Sequence, residues 1–247
     1  MIAPFATGRV SAQLDRAAAL RFLGYAGQSV QPELTERFEA LAARCDEANE
    51  GGYVWLADKV DGSRTVWEGD GAGVALEGCG LRLPGADVAR HLQGVAGAGP
   101  AQVVLVACTL GSACDQELRQ LKALNTLDFL MYDACASALA EAVVGAVHDQ
   151  IAQEAKAKGL FAHARFSPGY GDLPLDVQPD FLRVLGAPER LGLHTNQDNF
   201  LVPTKSVTAI IGLFEDEQAP GGASPCGICA AFDYCNFRER GLTCHGK

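Results

Sequence analysis

Apolar positions recur along this chain with two periods, and the switch between them separates helical from extended stretches. In residues 11–24, Leu14, Ala18, Leu20, Phe22 and Leu23 lead up to Gly24, which predicts a short helix with a glycine stop. Residues 32–49 open on Pro32 with acids close by, and Leu34, Phe38, Leu41 and Cys45 share one face of a second helix. From Gly51 the texture changes. Segments 53–60, 63–68, 73–78 and 81–85 are short, β-type and punctuated by Gly, Asp and Pro, which predicts antiparallel strands on tight turns. A short helix follows over 86–92 and a turn-rich link over 94–100. Residues 102–108 (QVVLVAC) form an unbroken apolar run, as in a strand buried on both faces.

The longest helical signal covers 123–158, where Leu127, Leu130, Ala134, Ala138, Ala142 and Val147 repeat turn after turn. Small residues dominate it, which suits close packing against another backbone, and Gly159 is placed to close it. A strand over 160–166, a loop SPGYGDLP over 167–174, a helix over 177–185 and strands over 191–194 and 206–214 complete the body. There is no internal repeat. The expected architecture is one α+β domain over residues 1–214, with helices packed on a curved, mainly antiparallel sheet. A flexible linker over 215–225 and a cysteine-rich appendage over 226–247 follow it.

Composition narrows the function. The 247 residues carry 20 Lys and Arg against 30 Asp and Glu, a net charge of −10. Nucleic acid and anionic membrane surfaces need a basic face and are poor partners for such a chain. A basic or neutral protein surface suits it. A hydrophobic share of 48% and a charged share of 20% exclude a disordered chain. No stretch reaches the ~18 apolar residues of a membrane span. The N-terminus has no basic region followed by an apolar one, so the expected location is the cytoplasm.

Several places carry groups fit for chemistry. Arg165 ends the strand over 160–166, and Ser167, Pro168, Gly169 and Tyr170 form a turn after it. A guanidinium offers a planar fork to a carboxylate, and glycine lets a ligand approach the main chain; the same residues also fit an ordinary tight turn with a surface Arg. Glu141 lies among small residues on the long helix and fits either a ligand amine or a solvated helix face. Thr109, Leu110, Gly111 and Ser112 form a loop that suits ligand contact or a helix cap made by Ser112. It lacks the Lys and the glycine spacing of a phosphate loop. The turn Pro203-Thr204-Lys205-Ser206 lines a groove or leaves Lys205 a solvated charge. His148 and His163 read as satisfied helix and strand residues, and no Ser/His/Asp or Cys/His arrangement is legible. The glycines over 69–78 lack the full dinucleotide fingerprint and the buried strand that should precede it.

Nine cysteines are many. Cys45, Cys79, Cys108, Cys114 and Cys135 are scattered as buried thiols usually are. The rest form Cys226-x2-Cys229-x5-Cys235-x8-Cys244, with His245 adjacent. An odd total speaks against a disulfide framework. Four thiolates on a Gly-rich segment suit an iron–sulfur cluster or a structural zinc, with the cluster favoured because the spacing is not a doubled C-x2-C. Free, redox-labile thiols are the plain alternative.

Taken together, RFSPGYGD, LAEA and TLG resemble the activation (reactivation) domain of cobalamin-dependent methionine synthase. In that family Arg-Pro-Ala-x-Gly-Tyr-Pro follows a helix containing Leu-Ala-Glu-Ala, which follows a strand ending in Thr-Gly-Gly. Arg165, Pro168, Gly169 and Tyr170 match the first motif, Leu139-Ala140-Glu141-Ala142 the second, and Thr109 and Gly111 the third. Phe166-Ser167 and Leu110 depart from it. The resemblance runs over about residues 101–214 and is nearest to the stand-alone form of anaerobes, in which RFSPGYGD and P-x-KS-x-x-A are typical. It implies S-adenosylmethionine in a shallow groove. Arg165 would hold the carboxylate, Glu141 the α-amino group, and backbone groups of Ser167, Pro168 and Gly169 the adenosine. Tyr170 would lie near the sulfonium methyl and the corrin. No motif matches the family's N-terminal acidic ligand, for which Asp15 is a guess. With no Asp-x-His-x-x-Gly segment in the chain, cobalamin is expected to come from a partner, a methionine synthase or another corrinoid protein. The expected function is reactivation by reductive methylation of cob(II)alamin, with a cluster at Cys226, Cys229, Cys235 and Cys244 able to deliver the electron. The alternatives are a non-catalytic S-adenosylmethionine-binding scaffold or sensor with a structural metal site, and a thiol-redox regulator.

Overall fold

The apolar run at 102–108 becomes the central strand of the molecule, β5 (Gln102–Thr109), with all eight residues buried. A computed structural model describes residues 1–216 apart from 26, 95, 96 and 98; residues 217–247, with the four tail cysteines and most of the linker, lie outside it. β5 pairs on one side with β2 (Gly52–Asp58) and on the other with β9 (Ser206–Phe214). β1 (Phe5–Arg9) and β6 (Phe161–Phe166) form the edges, so the order is β1-β2-β5-β9-β6. Every ladder in this sheet is antiparallel. The fold is α+β, as expected.

Both faces of the sheet are covered. Helices α1 (Arg16–Phe22), α2 (Pro32–Glu47), α4 (Ser112–Leu124) and α5 (Thr126–Lys156) pack on one face, over Trp55, Val104, Val106, Cys108, Ile211 and Leu213. On the other face, over Val54, Val103, Leu105 and Ile210, lie α3 (Ala86–His91), α6 (Gln178–Leu185), α7 (Ala187–Leu191) and the hairpin β3 (Gly73–Ala75) with β4 (Arg82–Pro84). Alternation along each strand sends successive side chains to opposite layers, so the buried strands read as continuous apolar runs.

Several elements differ from the pattern-based expectation, which has no counterpart to β1 or to β8 (Leu201–Val202). The helical signal over 123–158 is two helices, because extended Asn125 breaks it and caps α5 with its side chain, accepting from Leu127 N at 2.9 Å and Asp128 N at 3.2 Å. Gly159 does close α5: its φ is +73°, and Leu160 N donates back to Ala155 O at 3.0 Å. The segment 63–68 is not a strand, since Asp61 accepts from Ser63 N at 3.0 Å and curls the chain into a turn. The first helix begins only at Arg16, with Asp15 as its cap. The short strand expected over 191–194 is displaced to β7 (His194–Thr195), paired with β8 (Leu201–Val202), because Pro188 starts α7 instead. The hydropathy of α5 also exceeds the expectation that nothing approaches a membrane span: its most apolar 18-residue window averages 1.4. That window is 61% buried within the protein. From Met131 onward its apolar residues are largely those of a core helix.

Candidate functional site

The geometry that brings Arg165 to its place begins with a defect in an edge strand. In β6, Ala162 lies opposite Leu213 and Arg165 opposite Ile211, so three steps on β6 match two on β9. The extra residue is a bulge at His163–Ala164. Strict alternation would send Arg165 to the opposite layer from Ala162; the bulge returns it to the face that carries Ile211 and α5. There its guanidinium Nη2 meets Glu141 Oε2 at 3.1 Å, joining residues 24 apart in the chain. The Arg165 side chain is 24% exposed and that of Glu141 50%, so both are reachable from solvent. Cys108, buried on the same face of the sheet, lies opposite Val207, four residues along β9 from the partner of Arg165. Burial pushes its thiol up to about 12, with smaller and opposed effects of Arg165 and Glu141, which makes it inert rather than a nucleophile.

Past Phe166 the chain turns. Gly169 N donates to Leu173 O at 2.8 Å and Tyr170 N to Ser167 O at 3.1 Å. Pro168 is buried, Ser167 half-buried, and Tyr170 is 49% exposed. Gly169 has φ +91°, a conformation a side chain would strain, and a Cβ there would press on Leu175. The turn is fastened from behind: Asp172 accepts from Ala86 N at 2.6 Å and Asp87 N at 3.0 Å, capping α3. His91, at the other end of α3, bonds through Nε2 to Ala164 O at 2.8 Å, beside the bulge. On α5, His148 Nε2 is 3.0 Å from His163 O. Backbone groups thus fix the strand that carries Arg165 from both layers.

The Thr-Leu-Gly and Pro-Thr-Lys-Ser segments prove to be one structure. Thr109 pairs with Ser206 in the sheet, Ser206 Oγ and Thr109 Oγ1 are 2.7 Å apart, and Leu110 N donates to Lys205 O at 2.9 Å. Thr109 Oγ1 also accepts from Gly111 N at 3.0 Å, and Thr109 is buried. Ser112 does not cap α4; Gly111 precedes that helix, without a side-chain cap. Thr109 and Arg165 lie at register positions five residues apart along β9, about 16 Å. The structure therefore sets Thr109 and Gly111 around the turn that bears Lys205, not against Arg165 and Glu141. Asp115 reinforces that turn by accepting from Thr204 N and Oγ1, the latter at 2.7 Å.

Lys205 is not a solvated charge. Its side chain is 13% exposed, and its Nζ reaches Ser137 Oγ and Asp133 Oδ1, each at 2.8 Å. Between Met131 and Glu141 the positions of α5 that are not buried are Asp133, Ser137 and Glu141, spaced four apart on one stripe. The pattern reading passed over Asp133 and Ser137. The signal that finds them is polar residues every fourth position in an otherwise apolar helix. Asp15, by contrast, is occupied as a helix cap, accepting from Ala18 N at 3.0 Å. Among the described residues no cluster of His, Cys, Asp or Glu is arranged to hold a metal. The cysteine tail lies outside those residues.

No family model and no curated protein matches the chain. Among solved structures, the MetH reactivation domain bound to AdoHcy aligns over 97% of this chain and 86% of that one. The TM-score is 0.58, at 15% identity. The two chains share a fold. The alignment spans both helical layers and the sheet between them, so it covers the elements that bring Arg165 to Glu141.

Proposed function

We propose that this chain binds S-adenosylmethionine in the groove between α5 and the end of β6, and serves there in reductive methylation of cob(II)alamin held by a separate corrinoid protein. The observation that carries the reading is the Arg165–Glu141 pair at 3.1 Å beside an exposed tyrosine turn. A zwitterionic amino acid meets such a pair at both ends. Its carboxylate takes the guanidinium fork and its ammonium takes the Glu141 carboxylate, so opening the pair leaves neither charge alone. The Tyr170 ring offers an electron-rich face to a sulfonium cation. The shared fold with a domain that binds AdoHcy supports the same ligand class.

In the reaction, one electron from a low-potential donor converts cob(II)alamin to cob(I)alamin. The cobalt lone pair then attacks the sulfonium methyl, the S–CH3 bond breaks, and S-adenosylhomocysteine leaves with the former bonding pair on sulfur. The chain's part is to hold the donor methyl in line, a positional effect. The corrinoid comes from the partner.

Calorimetric titration of the full chain with S-adenosylhomocysteine tests the binding step. Saturable binding is expected, weakened at least about 10-fold in Arg165→Ala and in Glu141→Gln, since each leaves a charge without its counterpart. A chain that does not bind the ligand sinks the reading. Binding without methyl transfer to a reduced corrinoid partner would instead make the chain a sensor or scaffold.

A further inference from the structure

Resting on that reading, we infer that Asp133, held in place by Lys205 and Ser137, is a second ligand station that recognises the vicinal ribose hydroxyls of the nucleoside. From Met131 to Glu141 helix α5 is buried except at Asp133, Ser137 and Glu141, which form one open stripe. Each end of the stripe faces a cation delivered by the sheet: Arg165 opposite Glu141, and Lys205 opposite Asp133. The two cations arrive by different routes, one through the bulge of β6 and one on the turn before β9. A solvated helix face has no need of either.

The chemistry of the two ends differs. Arg165 with Glu141 matches a carboxylate and an ammonium. Asp133 is 42% exposed and accepts one bond from Lys205, leaving acceptor positions for a hydroxyl. Lys205 spends two of its three N–H donors on Ser137 and Asp133, and the third remains for a hydroxyl oxygen. A carboxylate that accepts beside an ammonium that donates is complementary to a diol. The spacing agrees. Asp133 and Glu141 are eight residues apart, about 12 Å along the helix axis. From the α-nitrogen of S-adenosylmethionine to its ribose 3′-oxygen there are eight bonds, roughly 10 Å when extended, and a hydrogen bond at either end spans the remainder.

Lys205 needs its surroundings to do this. The turn 203–206 is tied to β5 through Leu110 N and Thr109, and to α4 through Asp115. Thr109, Gly111 and Asp115 are thus positioning residues for a side chain at the far end of the groove.

The test pairs a change in the protein with a change in the ligand. S-adenosylhomocysteine and its 2′,3′-dideoxy analogue are titrated into the wild-type chain and Asp133→Asn, with circular dichroism and thermal denaturation as the check on folding. Wild type should bind the analogue at least about 10-fold more weakly than the parent, because the Asp133 carboxylate and the Lys205 ammonium lose their hydroxyl partners. Asp133→Asn should bind the parent more weakly and discriminate little between the two. Equal binding of parent and analogue by the wild-type chain overturns the inference, even if the variant does not fold. So does full discrimination by a folded Asp133→Asn. In either case parent binding that still depends on Arg165 leaves the wider reading intact, whereas no binding of the parent by wild type removes both.

Discussion

His91, bonded to Ala164 O, and His163, within β6, are two histidines whose burial ties stability to pH. His91 packs against Phe166, ring centres 5.1 Å apart, and burial lowers its pKa below the usual 6.5. His163 is stacked on Phe214 at 4.1 Å and is lowered for the same reason. A histidine whose folded pKa lies below its unfolded one binds more protons when unfolded. Its contribution is therefore complete above about pH 6.5 and is lost as the pH falls below that value. Denaturation followed between pH 8 and 5 should show stability declining on the acid side. His91→Gln, whose amide can still donate to Ala164 O, should flatten part of that decline. A decline of unchanged size in that variant would show that His91 does not titrate in this range. Gly111 marks a different residue-scale constraint. Its φ of 87° and ψ of 177° are open essentially to glycine alone, and a Cβ there would run into the Glu50 carboxylate. Gly111→Ala should cost about 1–3 kcal/mol in denaturation, and more if Glu50 cannot move.

At the scale of elements, short segments hold long ones in register. The loop 167–172 carries the tyrosine turn, and its hold on the body includes the Asp172 cap of α3. Asp172→Ala should lower stability by about 1 kcal/mol and weaken ligand binding while leaving Arg165 and Glu141 in place. A variant destabilised by that amount yet binding as wild type would show that the turn takes no part in the site. Helix α5 serves two purposes: its small residues Ala134, Ala138 and Ala140 are buried in the core, while the stripe of Asp133, Ser137 and Glu141 stays open. Ridge packing at a close interhelical or helix–sheet distance needs the former, and a groove needs the latter.

Across the whole molecule, one antiparallel sheet lies between two layers, and Arg165 sits on β6, which is an edge strand among the described residues. An edge position would leave the site open to a second protein, as the proposed methyl transfer needs. Cys226, Cys229, Cys235 and Cys244 extend the proposal to the electron. Anaerobically purified chain should show a broad absorption near ~400 nm that bleaches with dithionite, with iron and sulfide in the protein. Replacing the four cysteines by alanine in the full chain should remove reduction and spare S-adenosylhomocysteine binding. A colourless protein with one zinc would make the tail structural and place the electron source elsewhere.

What the amino-acid sequence determined by itself was mostly local. Apolar period and glycine punctuation placed the central strand, the long helix and its stop, because burial on two faces and a left-handed cap leave marks in neighbouring residues. Arg165, Glu141 and Tyr170 stood out through motif resemblance, and the structure sets the first two at 3.1 Å. The break at Asn125 was hidden because a one-residue interruption barely shifts the apolar period. That Thr109 pairs with Ser206 beside Lys205, with Gly111 N donating to the Thr109 hydroxyl, is likewise a matter of register that the Thr-Leu-Gly motif does not record. Only the tertiary structure decided which layer Arg165 faces, because alternation alone points it the wrong way and a bulge in β6 reverses it. It also decided that Lys205 belongs to Asp133 and Ser137, since their meeting depends on how β9 packs beneath α5, a contact between residues 68 apart that no local pattern records.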